Sequence, residues 1–251
     1  MTGRKTAIVT GGGTGVGKAV ATTLLRNGWN TVFCGRRQGL LDEAVAVAGR
    51  TEGKALALAC DVTDSGQVEA MFDKAVEAFG RVDLLFNNAG LGFKSAPADE
   101  IPVDVWNDIV AVNLTGSFFC ARAAFRVMRA QKPQGGRIIN NGSVSAYAPR
   151  PGSAPYTATK HAITGLTKSL ALDGRPFDIA CGQIDIGNAL TEMAQAMTVG
   201  VPQANGTIAP EPTIDVQRVA DSVLHMANMP LDTNVLFMNV MATKMPFVGR
   251  G

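Results

Sequence analysis

"KTAIVTGGGTGVGKAV" (residues 5–20) passes from a short apolar stretch through a cluster of glycines into a helix-forming run. It reads as strand, tight turn, helix. Gly11, Gly15 and Gly17 stand at the join. Glycines there let the backbone turn sharply and approach a ligand closely. The helix N-terminus that follows presents free N–H groups and a partial positive charge to phosphate oxygens. A glycine triplet also suits an ordinary turn; its position after the first strand is what points to nucleotide binding. The spacing, Gly-x3-Gly-x-Gly, is looser than Gly-x-Gly-x-x-Gly. No Lys-Ser/Thr pair follows, which excludes the phosphate loop of a nucleoside triphosphatase.

The same alternation continues along the chain. "NTVFCGR" precedes "GLLDEAVAVAGR", and "KALALACDV" precedes "DSGQVEAMFDKAVEAFG", which has an Asp64/Ser65 start and a Gly80 stop. "VDLLFNNAG" leads to a helical stretch near residues 103–130, and "GRIINNGS" to another near 155–173. "DIACGQID", "VQRVADSVLHMAN" and "NVLFMNV" complete the pattern. Apolar strands alternating with helices predict a parallel sheet covered on both faces, with about seven strands and six main helices. No linker or low-complexity segment interrupts the 251 residues, so one doubly wound α/β domain over 1–251 is expected. Ligands in such a sheet bind beyond the carboxyl ends of the strands, where strand order reverses.

Composition narrows the class. Hydrophobic residues make up 46% and the net charge is +2, which argues against nucleic-acid or membrane partners. No apolar run approaches the roughly 18 residues of a membrane span, and a strand-like run begins almost at the N-terminus, leaving no room for a signal peptide. Cys34, Cys60, Cys120 and Cys181 lie far apart with no CxxC spacing, so buried thiols in a reducing compartment are expected, and no metal site. The chain reads as soluble and cytoplasmic.

The second strand ends "VFCGRRQ", with Arg36 and Arg37 where a nicotinamide–adenine dinucleotide fold commonly carries an acidic residue for the ribose. A carboxylate would repel a 2′-phosphate, whereas guanidinium groups clamp one. The expected cofactor is NADP(H) in preference to NAD(H); the alternative is two solvated arginines. Asp61-Val62 follows the third strand, where Asp61 suits the adenine edge or equally a helix start.

Tyr156 and Lys160, four apart in "PYTATKHAITGL" (155–166), share one helix face. A free phenol is a poor proton donor at neutral pH, and an adjacent ammonium stabilises the phenolate. The bland alternatives are a core tyrosine and a solvated lysine.

In order along the chain, "TGGGTGVG", "DV", "NNAG", Asn113, Ser143 and "YTATK" resemble the short-chain dehydrogenase/reductase family, over residues 10–191. The resemblance implies a single Rossmann-type domain with a seven-stranded parallel sheet, and an NAD(P)-dependent oxidoreductase, commonly a homotetramer. It assigns Gly11, Thr14, Gly15, Val16 and Gly17 to the cofactor loop, Asp61 and Val62 to the adenine, and Asn88, Ala89 and Gly90 to the segment after the fourth strand. It selects Ser143 over the neighbouring Ser145 as the hydroxyl that stabilises the substrate oxygen. Lys160 would also bond the nicotinamide ribose, and Asn113 would help hold a water leading from Lys160; a satisfied core amide is the alternative. The family's Pro-Gly after the sixth strand is here Ile186-Gly187, with Thr191 after three intervening residues. Gly187 and Thr191 are still expected at the nicotinamide carboxamide. Asp185 is either a structural cap or a substrate contact.

Residues 189–212 are expected to form a substrate lid, an apolar helix followed by a Gly/Pro-rich loop, with Met193 and Met197 lining a pocket or packing the lid. Residues 89–102 and 144–155 supply the other walls. The apolar tail, with Met238, Met241, Met245 and Phe247, is expected to pack on a neighbouring subunit near its active site. These features predict reduction of a moderately apolar ketone, or oxidation of the alcohol, by hydride transfer. The competing functions are a nucleotide-sensing protein without turnover and an epimerase or dehydratase using the same Tyr/Lys pair. Intact Ser143, Tyr156 and Lys160 favour the first reading over a sensor. The absence of a sizeable C-terminal substrate domain weighs against the epimerase.

Overall fold

The computed structural model describes residues 3–192 and 195–248. β1 (Thr6–Thr10) leads through the glycine turn into α1 (Gly15–Arg26). β2 (Asn30–Gly35), α2 (Gln38–Ala48), β3 (Ala55–Ala59) and α3 (Ser65–Phe79) complete the first half. The start and stop signals of α3 act as expected: Asp64 accepts from the amides of Gly66 and Gln67, and Gly80 takes a left-handed conformation at φ 82°. β4 (Leu84–Asn87) then feeds one long helical run. It comprises α4 (Val103–Val110), a π-type widening over Ala111–Gly116, and α5 (Ser117–Ala130). β5 (Gly136–Asn141), α6 (Ala154–Asp173) and β6 (Ile179–Ile186) follow. α7 (Gln195–Val199), β7 (Val201–Pro202) and β8 (Ile208–Ala209) precede α8 (Val216–Asn228) and β9 (Phe237–Val240).

Seven strands form one parallel sheet in the order β3-β2-β1-β4-β5-β6-β9. The inner strands are continuously apolar because both faces are covered: all five residues of β1 are buried. Val20, Leu24 and Leu25 of α1, Leu41 of α2 and Val219 and Val223 of α8 pack one face. Val68, Met71 and Phe72 of α3, Cys120 and Ala124 of α5 and Leu170 of α6 pack the other. Each fully buried large side chain contributes about 1.5–3 kcal/mol, so the two layers dominate stability. All four cysteines are free and buried.

Strand order reverses between β1 and β4, which opens the ligand crevice above their carboxyl ends. The outer edge of β3 is blunted by a side chain. Gln38 accepts from the Ala59 amide at 3.0 Å and donates to the Ala57 carbonyl at 3.3 Å. The amide thus stands in for a neighbouring strand and ties the start of α2, just after Arg36 and Arg37, to the sheet.

One expectation needs correction, and another gains an intramolecular part. The segment expected as a Gly/Pro-rich lid loop contains an antiparallel hairpin, Val201↔Ala209 and Pro202↔Ile208. The tail packs on its own chain: Ala242 and Met245 bury against Val144, with Met241 and Phe247 alongside. β9 runs beside β6, so the chain leaving Val240 is delivered over the end of β6. A Cβ on Gly187 would lie 2.6 Å from the Met241 Cβ and 2.6 Å from the Met245 sulfur. A larger residue there would push the tail away.

Candidate active site

The glycine turn is packed too closely for side chains. Gly11 has φ 67°, and a Cβ on Gly17 would overlap the Gly11 carbonyl oxygen. Thr14 at the start of α1 makes no side-chain cap, which leaves the first-turn amides of Gly15, Val16 and Gly17 to a ligand. Across the crevice, a Cβ on Gly15 would lie 3.3 Å from Thr191 Cγ2, so the residue after β6 faces the turn after β1. Arg36 and Arg37 are exposed, and neither side chain forms an ion pair or hydrogen bond among the described residues. A closely packed glycine cradle, unspent amides and two uncommitted guanidinium groups fit a phosphorylated dinucleotide. Asp61 does not start α3; its carboxylate caps a turn, accepting from Thr63 N at 2.9 Å and Thr63 Oγ1 at 2.8 Å. Val62 is buried.

The carboxyl ends of β1, β4 and β5 are laced together by polar side chains. Thr10 Oγ1 accepts from the amides of Asn88 (2.8 Å) and Ala89 (2.9 Å), and Asn88 Nδ2 donates to the Thr10 carbonyl at 2.9 Å. Asn141 Nδ2 donates to Asn88 Oδ1 at 2.8 Å, and the Asn141 carbonyl accepts from Lys160 Nζ at 2.7 Å. A continuous bonded path therefore runs from the first strand to the lysine. Lys160 is buried at 6% exposure, which rules out the solvated alternative. Its Nζ lies 5.5 Å from the centre of the Tyr156 ring. Helical spacing brings the phenol and the ammonium together as expected.

Ser143 is buried and extended at the end of β5. Its Oγ accepts from the Ser145 amide at 3.1 Å, and it donates to no group among the described residues. Asn113 lies in the widened part of the helix, facing Gly90. Its Oδ1 accepts from Leu91 N at 2.7 Å and its Nδ2 donates to Leu91 O at 3.0 Å. The amide is thus satisfied by the wall segment after β4, and it approaches Thr159 at 3.5 Å rather than Lys160.

Asp185 is fully buried at the end of β6. Its Oδ1 accepts from Ser143 N at 3.0 Å and Gln183 Nε2 at 2.7 Å; its Oδ2 accepts from the Tyr147 hydroxyl at 2.9 Å. Burial pushes its carboxyl above the ordinary range, opposed by the bonds from Gln183, Tyr147 and Ser143 and by the Lys160 charge. Tyr147 is pushed up to about 12, by desolvation and then by its bond to Asp185. Beneath Asp185, Gln183 bonds Thr164 and Thr167, Thr167 bonds Asn140, and Asn140 bonds Asn87. Thr10, Asn140, Asn141, Gln183 and Tyr147 were not singled out as site residues. The available signal was polar side chains at the carboxyl ends of otherwise apolar strands.

The 189–212 segment is anchored to this wall. Asn188 and Leu190 exchange backbone bonds with Ile214 at its base. Arg150 forms a buried ion pair with Glu211, and Asn188 and Gln203 both donate to the same carboxylate. Burial pushes Glu211 up, yet Arg150, Asn188 and Gln203 outweigh it and hold the carboxyl at about 2. Met193 lies outside the described residues; Met197 is half-buried, and its carbonyl accepts from the Glu211 amide. Among the described residues no cluster of His, Cys, Asp or Glu is placed to hold a metal ion, and no helix is long and apolar enough to cross a membrane.

A doubly wound parallel sheet, a closely packed glycine turn at its switch point, and a buried Ser143 and Lys160 with a half-buried Tyr156 define a dinucleotide-binding oxidoreductase. The short chain dehydrogenase family model matches residues 5–200, and the chain belongs to that family. It is 31% identical over 220 residues to a 3beta-hydroxysteroid dehydrogenase of Mediterraneibacter gnavus, covering 88% of this chain and 79% of that protein. It is 35% identical over 240 residues to a D-beta-hydroxybutyrate dehydrogenase of Rhizobium meliloti, covering 89% and 91%. The 3-ketoacyl-(acyl-carrier-protein) reductase of Brucella melitensis, solved with NADH, superposes with a TM-score of 0.82 at 26% identity, covering 94% and 96%. The chain is accordingly an NAD(P)-dependent oxidoreductase of hydroxyl and carbonyl groups.

Proposed function

We propose that the protein is an NADP(H)-dependent reductase of ketones or aldehydes, and dehydrogenase of the matching alcohols, with Tyr156 as its acid/base. One observation carries the reading. Lys160 is buried, fastened to the Asn141 carbonyl at 2.7 Å and held 5.5 Å from the Tyr156 ring centre, and the Ser143 hydroxyl at the end of β5 donates to no group among the described residues. A sensor needs none of these. The 2′-phosphate would sit on Arg36 and Arg37, the diphosphate on Gly11, Thr14, Gly15, Val16 and Gly17, and the adenine beside Asp61 and Val62. The nicotinamide end would lie along Asn88, Ala89, Gly90, Gly187 and Thr191. When bound there, the nicotinamide supplies or accepts the hydride.

In the reductive direction Ser143 donates its hydroxyl proton in a hydrogen bond to the substrate oxygen and fixes its direction. Tyr156 transfers its phenolic proton to that oxygen as charge develops there. Lys160, its ammonium 5.5 Å from the ring centre, stabilises the resulting phenolate. Asn113 supports proton resupply by holding the Leu91 wall against the helix that carries Thr159 and Lys160. Residues 1–251 act as one binding and catalytic domain, the 189–212 segment closing over the substrate, in a cytoplasmic homotetramer or homodimer.

Tyr156→Phe tests the assignment. Turnover, followed by loss of NADPH absorbance over a panel of ketones, should fall by about 10²–10⁴-fold while NADPH affinity stays within about twofold. Near-parental rates in the variant would show that another group moves the proton.

A further inference from the structure

Resting on the carbonyl-reductase reading, we infer that Tyr147 and Asp185 form a substrate-selecting pair that favours a ketone bearing a hydrogen-bond donor, such as a hydroxyl, close to the reacting carbon. Three polar groups hang on one buried carboxylate. Asp185 takes the Ser143 amide and the Gln183 side chain on one oxygen and the Tyr147 hydroxyl on the other. Three donors converge on it, the arrangement of an acceptor-only carboxylate. A phenol has a single proton, and Tyr147 gives it to Asp185. The Tyr147 oxygen can therefore only accept from anything else.

Ser143 has the opposite polarity. Its oxygen already accepts from the Ser145 amide at 3.1 Å, and its proton goes to no group among the described residues. The wall thus offers one donor, Ser143, and one acceptor, Tyr147, joined through the two oxygens of Asp185. A ligand satisfying both presents an acceptor oxygen and, near it, a donor. A hydroxy ketone does this; a plain ketone leaves the Tyr147 oxygen without a partner.

Tyr147 is built to meet a ligand. It is half exposed, unlike the buried Ser143 and Asp185. Its ring is held edge-on by Phe247, with centres 6.3 Å apart at 90°. Phe247 belongs to the tail that buries Met245 against Val144, the residue after Ser143. The hydroxyl is thus fixed from two sides while part of the ring stays open.

The experiment compares matched pairs: acetone against hydroxyacetone, and cyclohexanone against 2-hydroxycyclohexanone. Steady-state kcat/KM is measured with NADPH, and dissociation constants of the corresponding alcohols and diols are measured by calorimetry on the NADP-loaded protein. In the parental enzyme the hydroxylated partner should be preferred by roughly tenfold, the worth of one hydrogen bond. Tyr147→Phe should bring that ratio close to one in both readouts. Asp185→Asn should instead extend the preference to acceptors, since a hydroxyl both donates and accepts whereas an ether only accepts. The amide nitrogen would donate to Tyr147 and release the phenolic proton outward, so methoxyacetone should gain on hydroxyacetone.

A merely structural role for the pair would lower all substrates together and leave the ratios unmoved. An unchanged ratio in Tyr147→Phe, or no parental preference in either readout, overturns the inference. Absence of turnover on every ketone, with the diol still bound selectively through Tyr147, would instead sink the reductase reading and leave the selecting pair standing.

Discussion

At the residue scale, chemistry that depends on a side chain's identity was legible in the sequence, and chemistry that depends on a partner across the sheet was not. Tyr156 and Lys160 are read from spacing because a helix fixes which residues share a face. The Tyr147–Asp185 bond joins residues 38 apart through two different strand ends, and no local rule supplies that register. Asp185 could accordingly be read as cap or contact, and it proves to be the acceptor that holds the Ser143 turn. Arg36 and Arg37 were legible by type, since guanidinium groups in place of a carboxylate change the preferred ribose. Their guanidinium groups have no partner among the described residues. Replacing both with aspartate should weaken NADPH binding by roughly 100-fold, the loss of about two charge-assisted hydrogen bonds, and leave NADH binding unchanged or tighter. Calorimetric dissociation constants for both coenzymes check this. Parental binding of NADH as tight as NADPH would refute the assignment, and the Brucella melitensis relative solved with NADH makes the comparison necessary.

At the element scale, helices with a cap and a stop were placed to within a residue or two. Asp64 and Gly80 bracket α3 by satisfying its terminal amides and reversing its backbone. The β7–β8 hairpin was missed because two-residue strands carry no periodicity. Its anchor was missed because Arg150 and Glu211 are 61 residues apart and each looks like a surface charge. Their burial changes the energetics. Glu211→Gln leaves Arg150 partly buried beside a neutral amide and should cost about 3 kcal/mol of stability. Replacing both residues with methionine should recover most of the loss.

The sign of the pH dependence follows from the Glu211 carboxyl, which is held below its ordinary 4.5 at about 2 in the fold. A depressed acid stabilises the folded state above its unfolded value, and that stability is lost as pH falls toward the folded one. Thermal midpoints and the hydrogen-exchange protection of residues 189–212 should therefore decline in the parental protein below about pH 4.5. Glu211→Gln should flatten that limb. Identical acid limbs in the two proteins would show that the clamp does not secure the lid.

At the scale of the whole molecule, the parallel sheet was legible because its strands are apolar on both faces, whereas the tail's apolar residues divide between the chain's own interior and its surface. The dense apolar residues of the tail implied a partner, but Met245 and Ala242 are buried within the chain, because the end of β9 delivers them onto Val144 and Gly187. Among the uncovered apolar side chains are three on the long helical run. Val103 is 74% exposed, Trp106 41% and Phe118 45%. Val103 and Trp106, three residues apart, share a helix face. Large aromatic side chains left open on an otherwise charged surface favour association, and a stable interface needs about 800 Å² per partner, within reach of a face made by α4 and α5. Sedimentation at micromolar concentration should accordingly give a homotetramer or homodimer. Trp106→Glu together with Phe118→Asp should shift it toward the monomer without lowering the thermal midpoint of the isolated subunit by more than about 1 kcal/mol equivalent, since surface changes away from packed sites cost little. A parental protein that sediments as a monomer would remove the case for this face. A variant that stays assembled would move the interface elsewhere, with the exposed Leu231 and Leu236 near β9 the next surface to change.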